Sequence, residues 1–162
     1  MQFATIVAAI QVHDDLARPV LQTARGLARY DARLHVISAW PLITPGIAGF
    51  AGEVGAIAGP LSQEAVAANK EARKADEALL KSLAAEFAPY AEIHMLDGET
   101  GDAVSAYARK VGADIIVTGS HQKGFWGALI AGAASRDVVR DAPCGVFLVT
   151  KPFAEKIFAR TG

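Results

Sequence analysis

The sequence predicts an α/β domain in which parallel strands alternate with helices along the chain. Continuous apolar runs rich in β-branched residues, of which residues 3–10 are the first, are typical of strands that helices cover on both faces. Between these runs, apolar residues recur at helical spacing, and such an alternation requires crossover connections with helices on both faces of the sheet. The chain has 162 residues, of which 52% are hydrophobic and 20% charged, as expected for one well-packed domain.

The first predicted helix follows the first strand closely. Asp14 and Asp15 are suited to begin this helix, and Pro19 is tolerated because it falls near the first turn. The second strand is predicted over residues 33–40. The apolar face of the helix consists of Leu16, Val20, Ala24, Leu27 and Ala28.

A glycine-rich segment and a long helix complete the first half of the chain. For residues 46–59, a mobile connection of small residues, an apolar flap over the carboxyl edge of the sheet and a surface for a partner remain alternatives. The long helix is predicted from about Ser62 to Phe87. Its apolar stripe consists of Val66, Leu79, Leu80, Leu83 and Phe87.

The second half repeats the alternation with shorter connections. In parallel sheets of this kind, ligands bind beyond the carboxyl ends of the strands, where the strand order reverses. The residues that follow the first four strands are therefore the candidates for a binding site. The predicted elements are strands over residues 91–96, 113–119 and 144–150, a helix over 101–111 that Gly112 ends, and a helix over 127–141 that stops before Pro143.

Charge and cysteine content exclude several classes of protein. The net charge is −1 and no basic cluster is present, which argues against a nucleic-acid partner. Cys144 is the single cysteine, so the chain cannot form an internal disulfide, and we expect this residue to be a small buried apolar side chain. The apolar start of the chain is shorter than the ~20 residues that span a bilayer. These features predict a cytoplasmic protein without a membrane span.

The segment from Gly119 to Ser135 lies where α/β proteins often hold phosphates. The dipeptide Gly-Lys, which the Walker phosphate loop requires, does not occur in the chain. The glycine fingerprint of dinucleotide-binding domains is missing after the first strand. What remains is a strand that ends at Gly119, a loop and a helix start, whose free N–H groups and dipole favour an anion.

The spacing of this segment resembles that of the universal stress protein family. Gly119 is followed by a second position at 122 and, after nine intervening residues, by Gly132. Residues 113–121 and 138–149 support the likeness. The resemblance implies an adenine nucleotide alpha-hydrolase-like fold, a five-stranded parallel sheet in the order 3-2-1-4-5 with helices on both faces. It also implies a cytoplasmic stress-response role and a homodimer. The family domain is expected over residues 1–151, followed by a C-terminal tail over 152–162.

The same resemblance implies which residues face a nucleotide. ATP or AMP is the ligand class that it implies, with no catalytic residue and no metal ligand. The positions that match the base and ribose pocket are Ile10, Ser38 and Ala39. The positions that match the phosphate loop are Gly119, Ser120, His121, Gln122, Lys123, Gly132, Ala133 and Ser135.

Three of these positions depart from the nucleotide-binding pattern. Ile10 replaces the carboxylate that ends the first strand, Gln122 replaces the second glycine, and Ala133 replaces a hydroxyl residue. The chain thus resembles the subgroup without ATP binding, and we expect a non-catalytic homodimeric module that binds ATP weakly or not at all. An ATP- or AMP-binding regulatory domain with slow hydrolysis is one alternative. A protein-interaction module that uses the glycine-rich segment or the tail is another.

The remaining polar residues show no catalytic pattern. His35 and His94 lie in predicted strands and His13 in a loop, and we expect them to lie apart in polar or surface positions. Trp40 is predicted either to pack in the core or to fill the base pocket. The acidic residues after the third strand are interpreted as helix N-terminal charges, with metal binding as the alternative. These are Asp97, Glu99 and Asp102.

The fifth strand, residues 144–150, is the predicted dimer contact. In the implied strand order it lies at the edge of the sheet, and an apolar edge strand aggregates unless something covers it. A twofold copy of the same strand is one cover. The tail is the competing cover, since Phe153, Ile157 and Phe158 are spaced to form an apolar stripe.

Overall fold

Strands and helices alternate along the chain as the sequence predicts. The computed structural model describes residues 2–41, 62–120 and 143–158. The glycine-rich segment 46–59 and the predicted helix 127–141 therefore lie outside the described residues. The elements are β1 (Phe3–Ala9), α1 (Ala17–Leu27), β2 (Ala28–Trp40), α2 (Gln63–Phe87), β3 (Glu92–Asp97), α3 (Thr100–Val111), β4 (Ile115–Gly119), β5 (Gly145–Val149) and α4 (Lys151–Phe158).

The five strands form one parallel sheet in the order β3-β2-β1-β4-β5. This finding confirms the predicted fold class and strand order. The chain builds the sheet outward from β1 in one direction through β2 and β3, and then in the other direction through β4 and β5. The strand order thus reverses beside β1, which places the carboxyl ends of β1, β2 and β4 around the expected ligand position.

Both faces of the sheet are covered by helices. Ile6 and Ala8 of β1 belong to a core cluster with α1, α2 and α4, whereas Val7 and Ala9 belong to a second cluster with α3. Successive side chains of a strand point to opposite faces, so a strand buried on both faces must be apolar at every position. Burial on both faces therefore explains why the apolar run of β1 is continuous.

Helix α2 departs from the predicted apolar stripe. The side chain of Val66 is 54% exposed, so its assignment to the stripe is wrong, and the buried residues of α2 are Leu80, Leu83 and Ala84. A helix of 25 residues is about 37 Å long, whereas the six-residue strand β3 spans about 20 Å. The N-terminal half of α2 therefore extends beyond the core.

The boundaries of the helices follow local chemistry. Ser62 precedes α2, and its hydroxyl accepts a hydrogen bond from the N–H of Ala65. Gly112 ends α3 in the left-handed conformation with φ 63°, as predicted for a terminating glycine. Helix α1 ends at Leu27, and Ala28 already pairs with Phe3 of β1, so Ala28 belongs to β2 and not to the predicted helix face.

A carboxylate joins β1 and β4 at the amino edge of the sheet. One oxygen of Asp114, just before β4, accepts hydrogen bonds of 2.9 Å from the N–H groups of Ala4 and Thr5. The N–H of Asp114 donates to the carbonyl of Thr5 in return. These two backbone donors are the main cause that lowers the pKa of Asp114 below its ordinary value.

The C-terminal helix α4 packs against the sheet. The ring of Phe153 lies 5.4 Å from the ring of Phe147 in β5, and Ala154 is buried. Ile157 is exposed, so only Phe153 and Phe158 of the predicted apolar stripe pack against the core. Among the described helices, none is long and apolar enough to cross a membrane.

Candidate functional site

A cavity of about 580 Å³ opens at the carboxyl edge of the sheet. Its walls are formed by the loop after β1 (residues 11–15), the end of β2 (residues 38–41) and Asp76 of α2. The N–H of Ile10 donates to the carbonyl of Ile37, which fixes the start of the loop to β2. The cavity thus lies where the topology predicts a ligand, beside the reversal of the strand order.

The loop after β1 has its own hydrogen bonds. The N–H of Asp14 donates to the carbonyl of Gln11 at 3.0 Å, and the carboxylate of Asp14 accepts from the N–H of Leu16 at 2.8 Å. These bonds hold the turn that leads from the cavity wall into α1. The residue immediately before α1 is Leu16, and no side-chain capping bond is present there, so Asp14 holds the turn before the helix and is not its predicted cap.

An ion pair joins two walls of the cavity. Nε2 of His13, in the loop after β1, lies 2.7 Å from Oδ1 of Asp76 in α2. The pair bridges the two elements on the side of the cavity that faces solvent, since the side chain of His13 is largely exposed. It therefore fixes the distance between the loop and α2 there.

The described walls of the cavity are acidic. They carry the carboxylates of Asp14, Asp15 and Asp76, and His13 is their only basic side chain, with no lysine or arginine among the residues that the structure describes there. Such walls accept hydrogen bonds from hydroxyl and amino groups, whereas they repel a phosphate. This part of the cavity suits the uncharged part of a ligand.

The three residues predicted for the base and ribose pocket have different surroundings. Ser38 and Ala39 lie in the cavity wall. Ile10 instead belongs to the core cluster under α1, where Leu16 and Val20 are its neighbours. Their role toward a nucleotide stays a prediction.

Trp40 forms part of the wall of the cavity. Its side chain is half-buried at the end of β2. Which of its two predicted roles Trp40 has stays a prediction.

Gly119 allows a close contact between β4 and the start of α1. A Cβ atom at this position would lie 3.2 Å from Cβ of Leu16, closer than most such contacts. The N–H of the next residue, Ser120, donates to the carbonyl of Val149 in β5. The other residues predicted for the phosphate loop lie outside the described residues, namely His121, Gln122, Lys123, Gly132, Ala133 and Ser135.

The acidic residues after β3 have different roles. Asp97 pairs with Arg73 of α2 at 2.9 Å, so it joins two elements instead of acting on a helix terminus. Asp102 lies in the first turn of α3, where a negative charge is favourable, as predicted. Glu99 is the residue before α3 and makes no capping bond with its side chain.

The expectation that the histidines lie apart is wrong for two of them. The neighbouring strands β2 and β3 bring His35 and His94 to the same carboxylate, that of Glu92, at 3.7 Å and 3.8 Å. The signal was present in the spacing, because residues 92 and 94 of one strand must share a face. The pairing of His35 with Glu92 across the sheet was not readable from the sequence.

Cys144 is half-buried just before β5 instead of fully buried. Burial is the main cause that raises the pKa of its thiol above the ordinary value, and the nearby Asp114 carboxylate contributes. A raised pKa favours the protonated thiol.

Relatives of known fold share this architecture. The universal stress protein UspA from Lactobacillus plantarum superposes with a TM-score of 0.60 at 18% identity, covering 92% of this chain and 99% of that one, which shows a common fold. The universal stress protein from Archaeoglobus fulgidus, solved in complex with dAMP, gives a TM-score of 0.52 at 25% identity over 91% of this chain and 98% of that one.

Sequence comparison leads to the same family. A protein of Thermus aquaticus called "universal stress protein in QAH/OAS sulfhydrylase 3′ region" is 29% identical over 147 residues, which are 91% of this chain and 98% of the relative. The family model described as "universal stress protein family" matches residues 2–150, nearly the whole chain. The protein belongs to the universal stress protein family.

Proposed function

We propose that the protein is a non-catalytic stress-response module that holds the nucleoside part of an adenine nucleotide in the cavity and binds ATP weakly or not at all. The observation that carries this proposal is the acidic cavity at the carboxyl edge of the sheet. Its volume of about 580 Å³ is within the range of small-molecule sites, which is roughly 300–1,000 Å³.

The charges of the cavity favour nucleotides with fewer phosphate groups. The carboxylates of Asp14, Asp15 and Asp76 repel a triphosphate more strongly than a monophosphate, while they accept hydrogen bonds from ribose hydroxyls and the adenine amino group. AMP and adenosine are therefore the favoured ligands. The complex of the Archaeoglobus fulgidus relative with dAMP, a monophosphate, supports this ligand class.

The sequence of the loop also argues against tight ATP binding. Gln122 places a side chain where the family pattern has glycine, and Ala133 removes a hydroxyl donor. Ile10 stands in place of a carboxylate, and its aliphatic side chain, buried under α1, contains no hydrogen-bond acceptor. Each difference removes an interaction that the nucleotide-binding pattern provides.

Isothermal titration with adenosine, AMP, ADP and ATP tests the proposal. We expect the affinity to fall as phosphates are added, and the dissociation constant for ATP to exceed about 10 μM, which corresponds to about 7 kcal/mol. Incubation with ATP should release no phosphate above the protein-free rate. A complex with ATP that survives gel filtration, or tighter binding of ATP than of AMP, contradicts the proposal.

A matched pair of variants locates the ligand. Ala39→Phe places a ring in the cavity wall and should abolish binding of AMP. Ala106→Phe adds the same ring to an exposed position of α3, on the opposite face of the sheet, and should leave affinity unchanged. Equal affinity of both variants for AMP would place the ligand elsewhere.

The proposed assembly is a homodimer through β5. Among the described residues, β5 pairs with β4 alone, and Val146, Phe147 and Leu148 are only partly buried. Helix α4 packs on the face of Phe147, and no strand of the part of the chain that the structure describes pairs with the outer edge of β5, so this edge is the proposed contact with a second copy.

Sedimentation equilibrium tests the dimer. We expect about twice the chain mass of 17.0 kDa at low micromolar concentration. Val146→Lys places a charge in the proposed contact and should yield monomers, whereas Ile157→Lys, at an exposed side chain of α4, should stay dimeric. A monomeric unmodified protein would contradict this part of the proposal.

We further propose that the protein is located in the cytoplasm. Cell fractionation checks that location.

A further inference from the structure

Two histidines, a glutamate and a tyrosine gather on the α3 face of the sheet. In the register of β2 and β3, His35 pairs with Glu92 and Ile37 pairs with His94, so His35, Glu92 and His94 share one face. Tyr107 of α3 packs on both imidazoles, with ring centroids 5.7 Å and 5.2 Å away. The cluster lies near the amino end of β3 and shares no residue with the cavity.

The ligand atoms of this cluster converge. Oε2 of Glu92 lies 3.7 Å from Nδ1 of His35 and 3.8 Å from Nε2 of His94. One ligand atom from each of the three residues lies within 4.8 Å of the other two. In a tetrahedral zinc site, with bonds of about 2.0–2.2 Å, the ligand atoms are about 3.4 Å apart. The observed distances between the ligand atoms are therefore somewhat longer than in a zinc site, and small rotations of the side chains would shorten them to that value.

The cluster combines one fixed ligand with two adjustable ones. The side chain of His35 is 3% exposed, whereas those of Glu92 and His94 are 62% and 45% exposed. Nε2 of His35 is buried without a partner among the described residues, so Nδ1 is the atom of this ring that can reach an ion. Glu92 and His94 can move toward that atom at low cost because their outer atoms face solvent.

We propose that His35, Glu92 and His94 form a binding site for a divalent transition-metal ion, with Zn²⁺ as the best fit. Two imidazoles and one carboxylate are a donor set that zinc prefers, and such a set leaves a fourth position for water. The hydroxyl of Tyr107 forms a hydrogen bond of 3.1 Å with Nδ1 of His35, and an ion bound at that atom would replace this bond. An ion here would tie the edge strand β3 to β2.

Titration of the full, tag-free chain with ZnCl₂ tests the site. We expect one Zn²⁺ per chain, at least tenfold stronger binding than of Mg²⁺, and a higher midpoint of thermal unfolding with zinc, because a ligand that binds only the folded state stabilises it. Co²⁺ in place of Zn²⁺ should give the visible absorption of a four-coordinate ion. No binding above that of Mg²⁺ would overturn the proposal.

Variants of the exposed ligands locate the ion without disturbing the core. His94→Gln and Glu92→Gln should each weaken zinc binding at least tenfold and abolish the cobalt spectrum. His13→Gln removes an exposed histidine far along the chain from this cluster and should leave both unchanged. Zinc binding that persists in His94→Gln and Glu92→Gln, or that is lost in His13→Gln, would place the ion elsewhere and refute the site.

Discussion

The carboxyl and amino edges of the sheet use the same residue types for different purposes. At the carboxyl edge, the carboxylates of Asp14, Asp15 and Asp76 surround an open cavity. At the amino edge, the carboxylate of Asp114 is occupied by two backbone N–H groups and fastens β1 to β4. The same residue type thus lines an open cavity at one edge and joins two strands at the other.

The two edges also differ in how far apart their partners lie in the chain. The loop of residues 11–15 supplies half of the cavity from one contiguous segment. Asp114, in contrast, meets Ala4 and Thr5 across 110 and 109 residues. The parallel register, which joins distant segments side by side, creates the amino-edge contacts. The strand order therefore predicts the position of the cavity at the carboxyl edge, whereas the contacts at the amino edge are visible only in the structure.

The largest change in the free energy of unfolding is expected when a methyl group is added at Gly119, at the carboxyl edge. Gly119→Ala places Cβ 3.2 Å from Cβ of Leu16, and this overpacking should lower the free energy of unfolding by about 1–3 kcal/mol. Gly26→Ala, in α1 with no atom within 4 Å of the new Cβ, should raise it by up to about 1 kcal/mol. Urea unfolding measures both. Equal changes in the two variants would show that Gly119 is not needed for close packing.

The next largest change in stability is expected from replacement of Asp114, at the amino edge. Because folding lowers its pKa below the ordinary value of 3.8, the charged carboxylate stabilises the fold above that pH, and this stability is lost as the pH falls below it. Asp114→Asn keeps the shape and removes the charge. The variant should be less stable than the unmodified protein at neutral pH, and the difference should shrink on acidification.

Urea unfolding at several pH values checks this prediction, with Asp31→Asn as the control. Asp31 is exposed, pairs with Arg29 and does not touch the strand N–H groups, so its variant removes the same charge without the strand contact. A stability difference for Asp114→Asn that is independent of pH would show that the charge of Asp114 does not act through the two backbone bonds.

The fold was predictable because its signals are local. The apolar run of β1, the terminating Gly112 and the hydroxyl of Ser62 each determine structure within a few residues. Val66 was misassigned because helical spacing shows which face is apolar but not where the core ends. The boundary between α1 and β2 was missed because pairing of Ala28 with Phe3 overrides the helical preference of alanine.

The candidate site was predictable only in part. The position of the cavity follows from the strand order, and Ser38 and Ala39 lie in its wall. The contribution of Asp76 was missed because it comes from α2, far along the chain. The cluster of His35, Glu92 and His94 was missed for the same reason, since the register of β2 and β3 is a property of the folded sheet.

A smaller effect is expected at Thr150, which links β5 to α4 at the carboxyl edge. Its hydroxyl accepts a hydrogen bond of 3.3 Å from the N–H of Phe153, in the manner of a helix cap. Thr150→Ala should cost about 1 kcal/mol, and Thr150→Ser, which keeps the hydroxyl, should cost much less. Urea unfolding of both variants checks this. Equal losses would show that the methyl group of Thr150, and not its hydroxyl, stabilises the start of α4.

The smallest effect on stability is expected from the ion pair between His13 and Asp76. The two atoms lie 2.7 Å apart, but the side chains are 72% and 22% exposed, so His13→Gln should change the free energy of unfolding by less than about 1 kcal/mol. Since the pair joins two walls of the cavity, its loss should instead weaken AMP binding. Lys81→Gln, which breaks the pair with Glu77 elsewhere on α2, should leave AMP binding unchanged. Urea unfolding and AMP titration of both variants separate the two effects, and unaltered affinity in His13→Gln would remove the pair from the proposed site.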